Sequence, residues 1–151
     1  MMRYRVLIVD DESIIRQGLT KLIDKNAAEW EVAGEARNGQ EALVELERLK
    51  PHLVITDIRM PNMDGIELAR EIREREPDAV VVILTGYKDF EYAQAALRYG
   101  VLDFLLKPCP EGEIVRVLRH ASDKIAERIA EQDNRMEEER VRDEHILRSI
   151  M

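Results

Sequence analysis

Short apolar runs, separated by longer stretches of helical spacing, organise most of this chain. The runs predict five β-strands, at residues 5–10, 31–36, 53–57, 79–85 and 103–107. Three of the runs are nearly continuous in Val, Ile and Leu, which is typical of parallel strands covered on both faces. Between them, apolar residues share helical faces at Ile15, Leu19 and Leu22, at Leu43, Leu46 and Leu49, at Ile66, Ala69 and Ile72, and at Phe90, Ala93 and Leu97. The alternation predicts a doubly wound α/β domain with a parallel sheet and right-handed crossovers.

The C-terminal part of the chain is helical without interruption from about Glu111. Residues suited to packing on the sheet end near residue 122, so we predict one domain at 1–122 and a helical linker at 123–151. A repeat of about 3.5 residues runs from Leu118 to Ile150, but half of its positions are polar, small or flexible, which makes the coiled-coil pattern weak. The i,i+4 pairs Glu131/Arg135, Glu138/Arg142 and Glu144/Arg148 would support an exposed helix. A solvated linker and a dimerising helix are both open interpretations.

Charge and composition narrow the classes of partner. The chain has 31 acidic and 23 basic residues and a net charge of −8, which disfavours nonspecific binding to nucleic acid or to a membrane. Its longest wholly apolar run, AVVVIL, is far below the roughly 20 residues that a bilayer requires, and the N-terminus lacks a secretory pattern. Cys109 is the single cysteine, which excludes an intrachain disulfide, and we interpret it as structural. A cytoplasmic protein fits these features best.

Polar residues follow or end four of the predicted strands, and the carboxyl ends of parallel strands meet at one edge of the sheet, where ligands bind. These strand-end residues are Asp10 and Asp11, Asp57, Thr85 and Gly86, and Lys107 and Pro108. Three neighbouring carboxylates would repel one another and raise their pKa values. A Mg²⁺ ion would relieve that repulsion, because it favours carboxylates together with waters and phosphate oxygens.

This set of residues suits one kind of chemistry. A carboxylate beside Mg²⁺ can attack phosphorus and form an aspartyl phosphate. The metal and Lys107 would neutralise charge on the phosphoryl oxygens, and Thr85 would hydrogen-bond the product. The sequence therefore predicts reversible phosphorylation of Asp57.

Each of these residues also has a simpler explanation when it is taken alone. Asp11 would serve as the N-cap of the helix that follows it. Asp64 and Gly65 fit turn and cap chemistry better than metal ligation. Lys107 would be a solvated surface lysine and Thr85 an ordinary strand-end residue. Their joint placement at the ends of successive core strands favours the functional interpretation.

Four sequence blocks, VLIVDDE, VITDIRMPNMDGIEL, VILTG and DFLLKP, resemble the receiver domain of two-component response regulators, over residues 4 to about 122. The resemblance implies a flavodoxin/CheY-like fold with strand order 2-1-3-4-5. It implies that Asp57 accepts a phosphoryl group from a sensor histidine kinase. It also implies a Mg²⁺ ion held by Asp10, Asp11, Asp57 and the backbone carbonyl of Arg59.

The same resemblance implies a switch pair, Thr85 and Phe104, in which the threonine moves to the phosphoryl group and the ring turns inward. Phe104 stands where many members have Tyr, so it cannot use a hydroxyl hydrogen bond there. The remaining motif positions are loop and turn residues: Pro61, Gly65, Gly86, which many members replace by Ala, and Pro108, whose bond to Lys107 is expected to be cis.

The stretch GYKDFEYAQAALRYGVLDFLLKP is similar to receivers attached to AraC-type helix-turn-helix output domains, and DEHILRSIM resembles the linker that leads to such outputs. We therefore expect the receiver-plus-linker part of a longer transcriptional regulator, with no direct nucleic-acid binding by this part. A homodimer would form through the C-terminal helix or the face at residues 86–110.

Two other functions compete with this interpretation. A phosphohydrolase of the haloacid-dehalogenase type also uses Mg²⁺ and an aspartyl phosphate, but its D-x-D pattern after the first strand is replaced here by adjacent Asp10 and Asp11. A constitutive dimerisation scaffold would need neither the acidic residues nor Lys107. Both alternatives fit the sequence less well than a phosphorylated switch.

Overall fold

A five-stranded parallel sheet forms the centre of the protein. The computed structural model describes residues 3–150, with side chains described for residues 3–143. The strands are β1 (Tyr4–Val9), β2 (Trp30–Ala36), β3 (Leu53–Asp57), β4 (Val80–Thr85) and β5 (Asp103–Leu106). Their order is β2-β1-β3-β4-β5, and all neighbouring pairs are parallel. The predicted fold class and strand order are confirmed.

Helices cover both faces of this sheet. They are α1 (Ser13–Asn26), α2 (Gly39–Leu49), α3 (Gly65–Arg75), α4 (Phe90–Ala93) and α5 (Glu111–Ile150), and short 3-10 helices at Tyr87–Asp89 and Gln94–Tyr99 flank α4. Alternate strand residues divide the core: Leu7 and Val54 pack with α2 and α3, whereas Ile8 and Ile55 pack with α1 and α5. Burial on both faces explains why the strand sequences are almost wholly apolar.

Side-chain caps determine where two of the helices begin. Asn38 accepts a hydrogen bond from the Glu41 amide before α2, and Asp64 accepts one from the Glu67 amide before α3, each at 2.8 Å. Asp64 is therefore a helix cap, as the sequence predicted when this residue was taken alone. The N-cap interpretation of Asp11 is wrong, because Asp10 accepts the Glu12 amide at 2.9 Å and α1 begins one residue later, at Ser13.

The segment from residue 87 to residue 99 departs from the sequence prediction. Phe90, Ala93 and Leu97 were expected on one helical face, but Phe90 is 40% exposed and Leu97 is 55% exposed. Ala93 and Ala96 are the fully buried residues of this segment. A 3-10 helix has about three residues per turn, so positions 93 and 96 share a face and position 97 turns away from it.

Helix α5 begins as a core helix and continues as an exposed one. Ile114, Leu118 and Ile125 are buried against the sheet, and then Arg128 and Gln132 bond the Asp78 carbonyl and carboxylate, both at 3.0 Å. All described side chains from residue 129 to residue 143 are exposed. The division at residue 122 thus falls inside an unbroken helix, and it stays a prediction.

The predicted ion pairs along α5 have different outcomes. Glu131 and Arg135 approach to 4.0 Å, whereas Glu138 and Arg142 form no ion pair among the described side chains. The Glu144/Arg148 pair, and the repeat positions Ile146 and Ile150, lie outside the described side chains. Among the helices of the described region, none combines the length and apolarity needed to cross a membrane.

Candidate functional site

The polar residues at the strand ends meet at the carboxyl edge of the sheet. Asp57 and Thr85 are the last residues of β3 and β4, while Asp10 directly follows β1 and Lys107 directly follows β5. Asp10 and Thr85 are fully buried, and Asp57 is only 5% exposed. Burying carboxylates is costly unless they are compensated, so this edge is not an ordinary part of the core.

Lys107 compensates two of the carboxylates. Its ammonium nitrogen lies 2.9 Å from Asp10 Oδ2 and 3.1 Å from Asp57 Oδ1. The Ile58 amide donates to the same Asp57 oxygen at 2.9 Å. The Lys107–Pro108 peptide bond is cis, and the lysine side chain is only 23% exposed. Lys107 is therefore a partner of the acidic residues and not a solvated surface lysine.

The charges at this edge are imbalanced towards the negative. Burial, followed by the nearby Asp10 charge, raises the pKa of Asp57, although Lys107 works against the rise. Burial alone would lower the pKa of Lys107, but its contacts with Asp10 and Asp57 outweigh burial and raise it. One ammonium group therefore faces two buried carboxyl groups at this edge.

Three neighbouring carboxylates have the geometry to hold a cation. Ligand oxygens of Asp10, Asp11 and Glu12 all lie within 4.8 Å of one another. The buried Asp10 Oδ2 receives no hydrogen bond of good geometry among the described residues. An all-oxygen, multiply negative set, in which Asp10 Oδ2 has only the ionic contact with Lys107, fits a hard divalent cation such as Mg²⁺. Asp57 is outside this close cluster and joins it through Lys107.

The two predicted switch residues share one face of the sheet. Thr85 of β4 pairs with Leu106 of β5. Ile83, two residues before Thr85 in β4, pairs with Phe104 of β5. The Thr85 hydroxyl donates to the Gly86 carbonyl at 3.1 Å. The Phe104 ring is partly buried and meets the Phe90 ring edge-on, with centroids 5.8 Å apart.

The loop residues have different structural requirements. A Cβ atom on Gly65 would collide with the backbone carbonyl of Asp57, so this position needs glycine. Gly86 has φ −86° and no atom within 4 Å of a built Cβ, so it has no such need. Pro61 accepts the Met63 amide at 2.8 Å in the turn before α3.

The Arg59 side chain contacts the segment that follows β4. Its Nε donates to Asp89 at 3.0 Å, and its guanidinium lies 4.5 Å from the centroid of the Tyr92 ring. The sequence did not predict a role for Asp89 or Tyr92, because neither residue belongs to a motif or a periodic pattern that indicates one. It also missed Glu12, for which the DDE triplet was an available signal.

Comparisons with known proteins identify the family. The model of the response regulator receiver domain matches residues 6–119. The chain is 41% identical over 115 residues to YesN of Bacillus subtilis, an uncharacterized transcriptional regulatory protein, covering 76% of this chain and 31% of that protein. It is also 41% identical to the transcriptional regulatory protein HptR of Staphylococcus aureus, covering 76% of this chain and 45% of that protein. The chain thus spans less than half the length of these curated relatives.

Solved structures give the same result. The REC domain of AraT, a response regulator from Geobacillus stearothermophilus, is 39% identical with a TM-score of 0.74, covering 87% of this chain and 99% of that one. A two component transcriptional regulator AraC from Clostridium phytofermentans is 32% identical with a TM-score of 0.72, covering 82% and 96%. With the family model matching most of its length, this chain belongs to the response regulator receiver domain family of two-component systems.

Proposed function

We propose that Asp57 accepts a phosphoryl group from a sensor histidine kinase and that the modified domain changes its association with a partner or with a second copy. The observation that carries this proposal is the Lys107 ammonium held between Asp10 and Asp57, at 2.9 and 3.1 Å. A fully structural role would not need a half-compensated pair of buried carboxylates, because apolar residues would fill the same space at lower cost.

In the proposed reaction, an Asp57 carboxylate oxygen attacks the phosphorus atom of a phosphohistidine. The new P–O bond forms as the P–N bond breaks, and the imidazole of the donor leaves with the bonding electrons. Lys107 stabilises charge on the phosphoryl oxygens. Asp10, Asp11, Asp57 and the Arg59 carbonyl would hold Mg²⁺, with Glu12 close by, and the ion would supply further charge neutralisation.

The surface beside Lys107 supports docking of a phosphodonor protein there. A cavity of about 320 Å³ lies between α1 and the Pro108–Cys109 segment, and Lys107 is part of its lining. Ile14, on the same helix, is 73% exposed. An exposed apolar residue beside a concave apolar surface is the kind of feature that partner proteins bury.

The proposed signal is a shift between two arrangements of the face at residues 86–110. Phosphorylation would draw the Thr85 hydroxyl away from the Gly86 carbonyl, which it contacts now, and let Phe104 leave its edge contact with Phe90. The phosphoryl group must favour one arrangement over the other, since equal stabilisation of both would signal nothing.

The output of this switch is proposed to be control of a DNA-binding domain elsewhere in a longer regulator, because YesN and HptR are transcriptional regulatory proteins. This part of the chain is not expected to bind DNA itself, given its net charge of −8. Self-association would use either the exposed part of α5 or the face at residues 86–110, where Tyr87 is 81% exposed.

Intact mass after incubation with Mg²⁺ and acetyl phosphate tests the proposal. We expect a gain of one phosphoryl group that requires Mg²⁺ and disappears in Asp57→Asn. Asp24→Asn, a matched change at an exposed residue of α1, should be phosphorylated like the wild type. No gain in a folded wild-type protein with Mg²⁺ present would contradict the proposal and favour a constitutive dimerisation scaffold.

A further inference from the structure

Four side chains connect the loop after β3 with the segment after β4. The Arg59 Nε donates to Asp89 Oδ1 at 3.0 Å, and its guanidinium lies 4.5 Å from the Tyr92 ring centroid. The Tyr92 hydroxyl donates to Asp64 Oδ2 at 2.5 Å. We name this set of Arg59, Asp64, Asp89 and Tyr92 the clasp.

The clasp holds the loop at both ends. Arg59 lies two residues after Asp57, and Asp64 is the last residue before α3. Asp64 is itself fixed, because its other carboxylate oxygen accepts the Glu67 amide at 2.8 Å. Contacts at the first and last parts of a loop restrict the backbone between them, including the Arg59 carbonyl that is the proposed metal ligand.

The other side of the clasp buries little apolar surface. Asp89 and Tyr92 lie in the segment that follows Thr85, where Ala93 and Ala96 are the fully buried residues and Tyr87 is 81% exposed. Two alanines bury little apolar surface. Polar contacts at the rim therefore have more influence on the position of this segment than they would on a well-buried helix.

We infer that Asp89 and Tyr92 are positioning residues of the Asp57 site. They hold Arg59 and Asp64, and through them the loop that carries the proposed metal ligand. Exposed pairs of this kind are individually weak, so they select between arrangements of the loop and contribute little to overall stability. The inference rests on the proposed function, because it assigns these two residues a role in metal binding at that site.

Two variants with matched controls test it by calorimetric titration with Mg²⁺. Asp89→Asn removes the charge that holds Arg59, and its control is Glu91→Gln, a nearby exposed acid. Tyr92→Phe removes the hydroxyl but keeps the ring under the guanidinium, and its control is Tyr87→Phe. Loss of an outer-shell partner typically costs 10–100-fold in metal affinity, and for these exposed groups we expect about 3–10-fold.

Four further readouts separate positioning from a general structural role. The melting temperature of both variants should match that of the wild type. Phosphorylation by acetyl phosphate should slow at low Mg²⁺ and recover at saturating Mg²⁺. Asp89→Glu, which keeps the charge, should restore most of the affinity. When Asp89→Asn is combined with Arg59→Gln, the combined loss should be smaller than the sum of the two, because both remove the same contact.

Equal Mg²⁺ affinity in the clasp variants and in their controls would overturn the inference while the proposed function stands. A wild-type protein that neither binds Mg²⁺ nor becomes phosphorylated would instead overturn the proposed function, and the inference with it.

Discussion

Helix α3 and the segment at residues 87–99 both follow strands that end at the candidate site, yet they are built differently. Helix α3 starts with the Asp64 side-chain cap and buries Leu68, Ala69 and Ile72. The 87–99 segment divides into a four-residue helix between two 3-10 helices, has no side-chain cap, and buries only Ala93 and Ala96 fully.

The difference indicates which segment can move. Stability within a protein varies with local burial and hydrogen bonding, and regions with few buried apolar contacts open most easily. The 87–99 segment is separated from Thr85 by Gly86 alone, and because it buries so little, a rearrangement there would cost less than one of α3. Matched substitutions in the two segments test whether they differ in local stability.

The largest expected contrast is between two leucines. Leu68 in α3 has no exposed surface, and Leu97 in the 87–99 segment is 55% exposed. Leu68→Ala should lower the free energy of unfolding by about 2–5 kcal/mol, because it leaves a cavity in the core. Leu97→Ala should change it by less than about 1 kcal/mol. Urea unfolding measures both, and similar losses would contradict the proposed difference in local stability.

The next contrast is between two glycines. A methyl group on Gly65 would meet the Asp57 carbonyl and the Ile58 backbone, whereas one on Gly86 meets nothing within 4 Å. Gly65→Ala should therefore cost about 1–3 kcal/mol. Gly86→Ala should be neutral or stabilise by up to about 1 kcal/mol, since alanine restricts the unfolded chain and fits φ −86°. Thermal unfolding of the two variants checks this, and a larger loss for Gly86→Ala would reverse the comparison.

The two segments also differ in how well the sequence predicted them. The parallel α/β fold and the residues at the strand ends followed from continuous apolar runs and from the geometry of parallel sheets, and α3 followed from Ile66, Ala69 and Ile72. The strand order came from the resemblance of four sequence blocks to receiver domains. The 87–99 segment did not, because Phe90, Ala93 and Leu97 satisfy a helical period that the backbone does not adopt. The choice between α and 3-10 geometry depends on tertiary contacts that periodicity does not encode.

The residues of the candidate site likewise divide into those that the sequence predicted and those that it did not. Asp10, Asp57, Thr85 and Lys107 were predictable because strand ends converge wherever strands are parallel. The Arg59 contacts with Asp89 and Tyr92 join residues about 30 positions apart through exposed side chains. Such contacts depend on the exact course of two loops, which no local pattern fixes.

A smaller contrast is expected between two aspartates. Asp64 caps α3 through the Glu67 amide, whereas Asp89 precedes α4 without any side-chain cap bond. Asp64→Ala should cost about 1 kcal/mol, the usual loss for a cap, and Asp89→Ala less than about 0.5 kcal/mol. Tyr92→Phe serves as the control, because it removes only the second contact of Asp64. Equal losses for the two aspartates would mean that the 87–99 segment is as firmly held as α3.

The smallest expected effect concerns charge at Asp57, the residue at which the loop to α3 begins. Burial and Asp10 raise the pKa of Asp57 in the folded protein, so the folded state binds a proton more readily than the unfolded state. The free energy of unfolding must then fall as pH rises from the unfolded pKa, about 3.9, through the raised folded pKa. Asp57→Asn removes this pH-dependent loss of stability, because asparagine does not ionise.

At pH 7 and without divalent metal, Asp57→Asn should therefore melt above the wild type, because asparagine carries no buried charge. The melting temperatures of the two proteins should converge as the pH is lowered and the wild-type carboxyl gains its proton. A cation at Asp10 and Asp57 would offset the repulsion between these two carboxylates. Added Mg²⁺ should therefore reduce the difference in melting temperature between the two proteins at pH 7. Melting curves from pH 4 to pH 8 measure it, and a variant less stable than the wild type at pH 7 would show that Lys107 attraction outweighs burial.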